Sequence, residues 1–123
     1  MKKVYYNKLI RDNIPQKIRA NGGEFEVREM DEKEYERELL RKVEEEASGL
    51  INSSSREDII TELSDVLDVV DEIKRLKKIS EVEIQDAREK AYTKKGGFEK
   101  KLFLVWSSDT GYKTNEKRTP KES

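Results

Sequence analysis

Two stretches of this chain carry carboxylates at spacings that could hold a divalent cation: residues 42–50 (KVEEEASGL) and 58–71 (DIITELSDVLDVVD). In the first, Tyr35, Leu39, Val43, Ala47 and Leu50 recur at helical spacing. At roughly 100° per residue, Glu46 falls inside that apolar arc, while Glu44 and Glu45 fall outside it. In the second, Ile59, Leu63, Val66, Val70 and Ile73 form a stripe with Glu62 and Asp65 along one edge. Glu62 and Asp65 are three residues apart and so share one side of a helix. A carboxylate aimed at a core is costly unless it is paired, hydrogen-bonded or bound to a metal. Antiparallel packing of the two helices would set Glu45 or Glu46 opposite Glu62 and Asp65. A divalent cation relieves the repulsion of such a group, and magnesium in such a site keeps waters and adds substrate phosphates. The chemistry this suits is hydrolysis of a phosphate ester or anhydride, with a carboxylate orienting or deprotonating the attacking water.

Cations and exposed amides suited to phosphate lie elsewhere in the chain. Lys8 and Arg11 are three apart near the start, and Lys94-Lys95-Gly96-Gly97-Phe98 combines charge, glycine backbone and a ring. Glycines let backbone N–H groups approach phosphate oxygens. Phe98 could contact a base, but the expectation is that it anchors the last helix in the core and that Trp106 packs beneath the helices.

The elements that must position these groups read as helices. Asn13 and Pro15 suit the start of a short helix ending at Ala20, stopped by Asn21-Gly22-Gly23. Residues 24–30 alternate enough for an edge strand or an extended connection. Asp31 and Glu34 have the capping-box arrangement, which predicts a long helix from about Glu32 to Leu50. The loop Asn52-Ser53-Ser54-Ser55 follows, with Ser54 or Ser55 capping a helix to about Lys77. Ser80 and Glu83 form a second capping box, and that helix should reach about Lys94. Residues 102–106 (LFLVW) are expected to be a strand or an extended segment, and 107–123 a polar, mobile tail. The expected fold is all-α: a helical bundle built on a long antiparallel helix hairpin, in one domain over 1–106.

Composition narrows the rest. Of 123 residues, 33% are hydrophobic and 43% charged, so most helix faces must be wet and self-association could bury what one copy cannot. The 26 basic and 27 acidic residues nearly cancel, so no whole-chain field favours nucleic acid or an anionic membrane. With no cysteine and no histidine, disulfides, the usual zinc ligand sets, thiolate nucleophiles and histidine acid–base catalysis are excluded. A metal held by this chain is a hard cation on oxygens, magnesium or manganese. No apolar run is long enough for a signal peptide or a membrane span, which leads to the expectation of a soluble, cytoplasmic protein.

Lys42-Val43-Glu44-Glu45-Glu46-Ala47 followed by Glu62-Leu63-Ser64-Asp65-Val66-Leu67 resembles the signature of the all-α nucleoside triphosphate pyrophosphatases, the MazG-like superfamily. Asn7 to Pro15 (NKLIRDNIP) and Lys95-Gly96-Gly97-Phe98 resemble its house-cleaning branch, related to phosphoribosyl-ATP pyrophosphohydrolase. The resemblance implies a homodimer or higher oligomer. It implies magnesium-dependent hydrolysis of a nucleoside triphosphate to a monophosphate and pyrophosphate. Glu46, Glu62 and Asp65 would be metal ligands and Glu45 an auxiliary acid or base. Lys8, Arg11, Lys95, Gly96 and Gly97 would contact substrate. Phosphoribosyl-ATP is the alternative substrate, and a non-catalytic helical dimer that senses nucleotide or binds a partner is the reading from another class. One position departs from the signature: the third glutamate of the first motif falls on Gly49, so that Glu45 or Asp68 must compensate, a metal is lost or catalysis is weakened.

Overall fold

The structure is a computed structural model that describes residues 2–112 and Asn115. It is all-helical, with α1 (Ile14–Ala20), α2 (Glu32–Ile51), α3 (Arg56–Lys77) and α4 (Glu81–Lys95). The described residues contain no strand. Neither 24–30 nor 102–106 therefore becomes one, because each lacks a neighbouring strand to complete its backbone hydrogen bonds. The chain divides into two compact units, 1–86 and 87–123, with the division inside α4. Of the expected tail, residues 113–114 and 116–123 lie outside the described residues.

Local chemistry sets the helix ends in the first unit. Asp31 accepts a hydrogen bond from the Glu34 amide, and Ser55 accepts one from the Asp58 amide, each satisfying a donor that the first helical turn leaves over. Ser80 and Glu83 form the reciprocal box, Ser80 N donating to the Glu83 carboxylate at 2.7 Å and Glu83 N to Ser80 Oγ at 3.1 Å. Asn13 does not cap α1 through its side chain. Its backbone sits at φ −94° and ψ 3°, not in the extended conformation that carries a capping oxygen over the first turn. Gly22, at φ +79°, closes α1 by turning the chain left-handed, so that Gly23 N reaches Ile18 O at 2.9 Å.

Within the first unit, α2 and α3 are the helices that pack against one another among the described residues. Lys77 donates to Glu36 across them at 2.5 Å, while Gly49 near the end of α2 lies against Glu62 near the start of α3. The most buried residues are Leu39, 3% exposed, and Val69, 8% exposed. On α2 the half-buried or buried positions Tyr35, Leu39, Lys42, Glu46 and Gly49 recur every three or four residues, the pattern of one face. On α3 the same spacing runs through Glu62, Asp65, Val66, Val69, Ile73 and Leu76.

This seam differs from the expected α3 stripe. Ile59 and Leu63, expected inward, are 42% and 45% exposed, and the buried residue is Val69. The helix carries two apolar arcs about a third of a turn apart: Val66, Val69 and Ile73 facing α2, and Ile59, Ile60, Leu63 and Leu67 beside them. A single stripe drawn through both falls between the two.

Candidate metal centre

The seam changes character along its length. Glu46 is seven residues beyond Leu39, and Glu62 seven before Val69. Seven residues are nearly two full turns, so each carboxylate repeats the direction of the most buried residue of its own helix. The direction that gives a hydrophobic contact at one end of the helix pair gives acid against acid at the loop end. There Glu46, Glu62 and Asp65, all half-buried, each offer one oxygen, and the three oxygens lie within 4.8 Å of one another. Burial, then the charges of Asp65, Glu62 and Glu45, push the Glu46 carboxyl above the usual carboxylate range against the opposing pull of Lys42. Three hard oxygens carried on two packed helices are a donor set that fits magnesium or manganese and not a thiophilic metal.

Cations surround the cluster. Lys42, with its side chain only 14% exposed, stands 3.8 Å from Glu46 and 3.0 Å from Glu45. Its ammonium also donates to the Leu9 carbonyl at 3.0 Å, which ties the segment before α1 to α2. From that segment Lys8 reaches Glu45 at 2.9 Å, with its ammonium 5.6 Å from the centre of the Tyr6 ring. Arg11 spans Asp65 at 2.9 Å and Asp68 at 2.8 Å. The hydrogen bond to Asp68 is the main reason the Arg11 guanidinium is held further in its charged form.

Glu45 stands apart from the trio. Burial pushes its carboxyl up, but hydrogen bonds from Lys8 and Lys42 outweigh this and leave it below the usual range. One ammonium sits on each of its oxygens, Lys8 on Oε1 and Lys42 on Oε2. Asp68, a possible substitute for the acid missing at Gly49, is engaged by Arg11. Gly49 itself lies directly against the Glu62 carboxylate.

The first unit therefore brings together Glu46, Glu62 and Asp65, with Glu45, Lys8 and Arg11 around them. Sequence reasoning missed Lys42 as part of this group. Its signal was available: it lies four residues before Glu46 and seven before Gly49, so it shares their face.

Lys95, Gly96 and Gly97 belong to the second unit. Lys95 is the last residue of α4. Gly96 turns left-handed at φ +81° with its amide on Tyr92 O at 2.8 Å. Gly97 lies under the Tyr92 ring, where an added Cβ would come within 3.2 Å of Cε2. The two aromatic residues expected in the core are on the surface. Phe98 is 96% exposed and Trp106 80% exposed, since residues 101–112 form no regular element that could cover either ring.

Comparison of the chain with protein-family models, with curated proteins and with solved structures finds no match in any of the three. Among the described residues no helix is long and apolar enough to cross a membrane.

Proposed function

We propose that the chain is a magnesium-dependent nucleoside triphosphate pyrophosphohydrolase, of the house-cleaning kind suggested by the resemblance of its acidic motifs. The observation that carries this reading is the convergence of Glu46, Glu62 and Asp65 on one 4.8 Å locus at the end of a helix seam, with arginine and lysine at its rim. Bare carboxylates at that density repel one another. A divalent cation with a polyphosphate answers both the negative cluster and the positive rim.

In this reading Glu46, Glu62 and Asp65 hold Mg2+, with Mn2+ as a substitute. When bound, the ion supplies charge neutralisation for the phosphate oxygens and polarises the phosphorus for attack. Lys8 and Arg11 orient the polyphosphate, exchanging their present carboxylate partners for phosphate oxygens. The water that attacks gives its proton to Glu46, which turns towards the site with one ammonium at 3.8 Å and no direct hydrogen bond from it. The new P–O bond forms as the bridging bond between α and β phosphates breaks, giving a monophosphate and pyrophosphate. Glu45 holds Lys8 at the rim until phosphate takes its place and keeps Lys42 beside Glu46 throughout.

The long helices form an antiparallel hairpin, and the protein works as a homodimer or higher oligomer. Only Leu39 and Val69 are buried apolar residues among those described, whereas Ile59, Ile60, Leu63 and Leu67 present a continuous exposed row on α3. A second copy laid on that row supplies the burial that one chain lacks. The soluble, cytoplasmic setting completes the reading.

The experiment is pyrophosphate release from a panel of nucleoside triphosphates and phosphoribosyl-ATP, with magnesium and with excess chelator. Magnesium-dependent release from at least one member supports the reading. No release from any, at high protein concentration, overturns it in favour of a non-catalytic helical dimer.

A further inference from the structure

Gly49 occupies a position where the acidic motif of α2 would be expected to continue, and its surroundings assign it a different task. An ideal Cβ built on Gly49 would lie 2.5 Å from Glu62 Oε2, 2.8 Å from Glu62 Cδ and 3.1 Å from Oε1. Real Cβ atoms do not approach other heavy atoms that closely, so the Glu62 carboxylate fills the space of the missing side chain. Gly49 has a negative φ inside α2, so the conformational freedom of glycine does not explain it. Gly49 still takes helical backbone in the last turn of α2, where alanine is the better helix former. What remains is the volume. Ser53 Oγ donates to the Gly49 carbonyl at 3.1 Å, which fixes the backbone at this point against the loop.

We propose that Gly49 is a positioning residue: its missing side chain is the berth that holds the Glu62 carboxylate beside Glu46 and Asp65. The acid absent at this position is then no defect to be repaired. A side chain there would push Glu62 out of the trio, since Glu62 ends in a flexible carboxylate that yields before the α2 backbone does. The berth itself is independent of catalysis, while its effect on a cation rests on the reading above.

The test compares the wild-type chain with Gly49→Ala, Glu62→Ala and the double variant. In metal-free protein at fixed pH, Gly49→Ala shifts the Glu62 side-chain carboxyl 13C resonance and leaves that of Glu83 in place. The changes in thermal midpoint from Gly49→Ala and Glu62→Ala fail to add, as expected for groups in contact. With Mn2+ as probe, Gly49→Ala weakens binding at least tenfold, and adding Glu62→Asp, one methylene shorter, regains part of it. Gly49→Glu weakens Mn2+ binding in the same way. An unmoved Glu62 resonance with additive midpoints overturns the proposal, as does tighter Mn2+ binding by Gly49→Glu. A wild-type chain that binds no Mn2+ overturns the cation reading alone, because the resonance and the midpoint cycle still decide the berth.

Discussion

Glu46 stands two turns beyond Leu39 on the same face of α2, so one helix directs its most buried side chain and its most inward carboxylate the same way. A seam that stayed apolar to the loop would be more stable. Glu46 interrupts it, and its carboxyl is held above the usual range first by burial and then by its acidic neighbours. A carboxyl with a raised folded-state pKa binds its proton more tightly when folded. Its contribution to stability is fully present below the unfolded value near 4.3 and is lost as pH rises through the folded value. Glu46→Gln should therefore raise the thermal midpoint of metal-free protein at pH 7, and the gain should fade as pH falls towards 4. Melting curves in chelator across that range check both parts, and a lower midpoint at pH 7 would contradict them.

The same replacement should have the opposite effect on function. Removing one ionised ligand from a three-carboxylate group costs more than the repulsion it relieves once a cation is present. Magnesium should thus raise the midpoint of the wild-type chain, by about 2.7 kcal/mol of stability at a hundredfold excess over its dissociation constant, and much less for Glu46→Gln or Asp65→Asn. Differential scanning calorimetry with and without magnesium reads this directly.

Arg11 holds Asp65 and Asp68 together in the absence of ligand, at 2.9 and 2.8 Å. Arg11→Gln should release Asp65 without removing it. Steady-state kinetics should show a nucleotide KM raised roughly tenfold, the scale of one charge-assisted hydrogen bond, with Mn2+ binding in the absence of nucleotide no weaker than wild type. Loss of Mn2+ binding would instead make Arg11 a structural support for the carboxylates.

The exposed row on α3 makes its own prediction. If the proposed self-association uses this row, wild type should sediment as an oligomer, and Leu67→Glu and Ile60→Glu, both on surface positions of a single chain, should sediment as monomers with the helical circular dichroism largely intact. Leu39→Ala should instead lower stability by about 2–5 kcal/mol, because it empties the best-buried site in the first unit.

The helices were legible in the sequence wherever a cap or a stop named their ends. Asp31, Ser55 and the Ser80–Glu83 pair each marked a boundary through a hydrogen bond that the residue types dictate. The facing of α3 was harder to read, because two apolar arcs share that helix and only the packed neighbour selects between them. Hence Glu62 and Asp65, expected along the edge of a stripe, lie in the seam itself. The role of Gly49 was illegible for a related reason: a glycine in a string of acids looks like a missing ligand until the carboxylate filling its space is seen. Phe98 and Trp106 were expected inside on hydrophobicity alone, which says that a ring gains by burial and not that anything is there to bury it.

In the proposed function Glu46, Glu62 and Asp65 together hold a divalent cation. Titrating the protein with Mn2+ and following free ion by electron paramagnetic resonance tests it most directly, using wild type, Glu46→Gln, Glu62→Gln and Asp65→Asn. The expected result is saturable wild-type binding, competed by magnesium and weakened at least tenfold by each replacement. Non-saturable binding in the wild type, or unchanged affinity in all three variants, would contradict it.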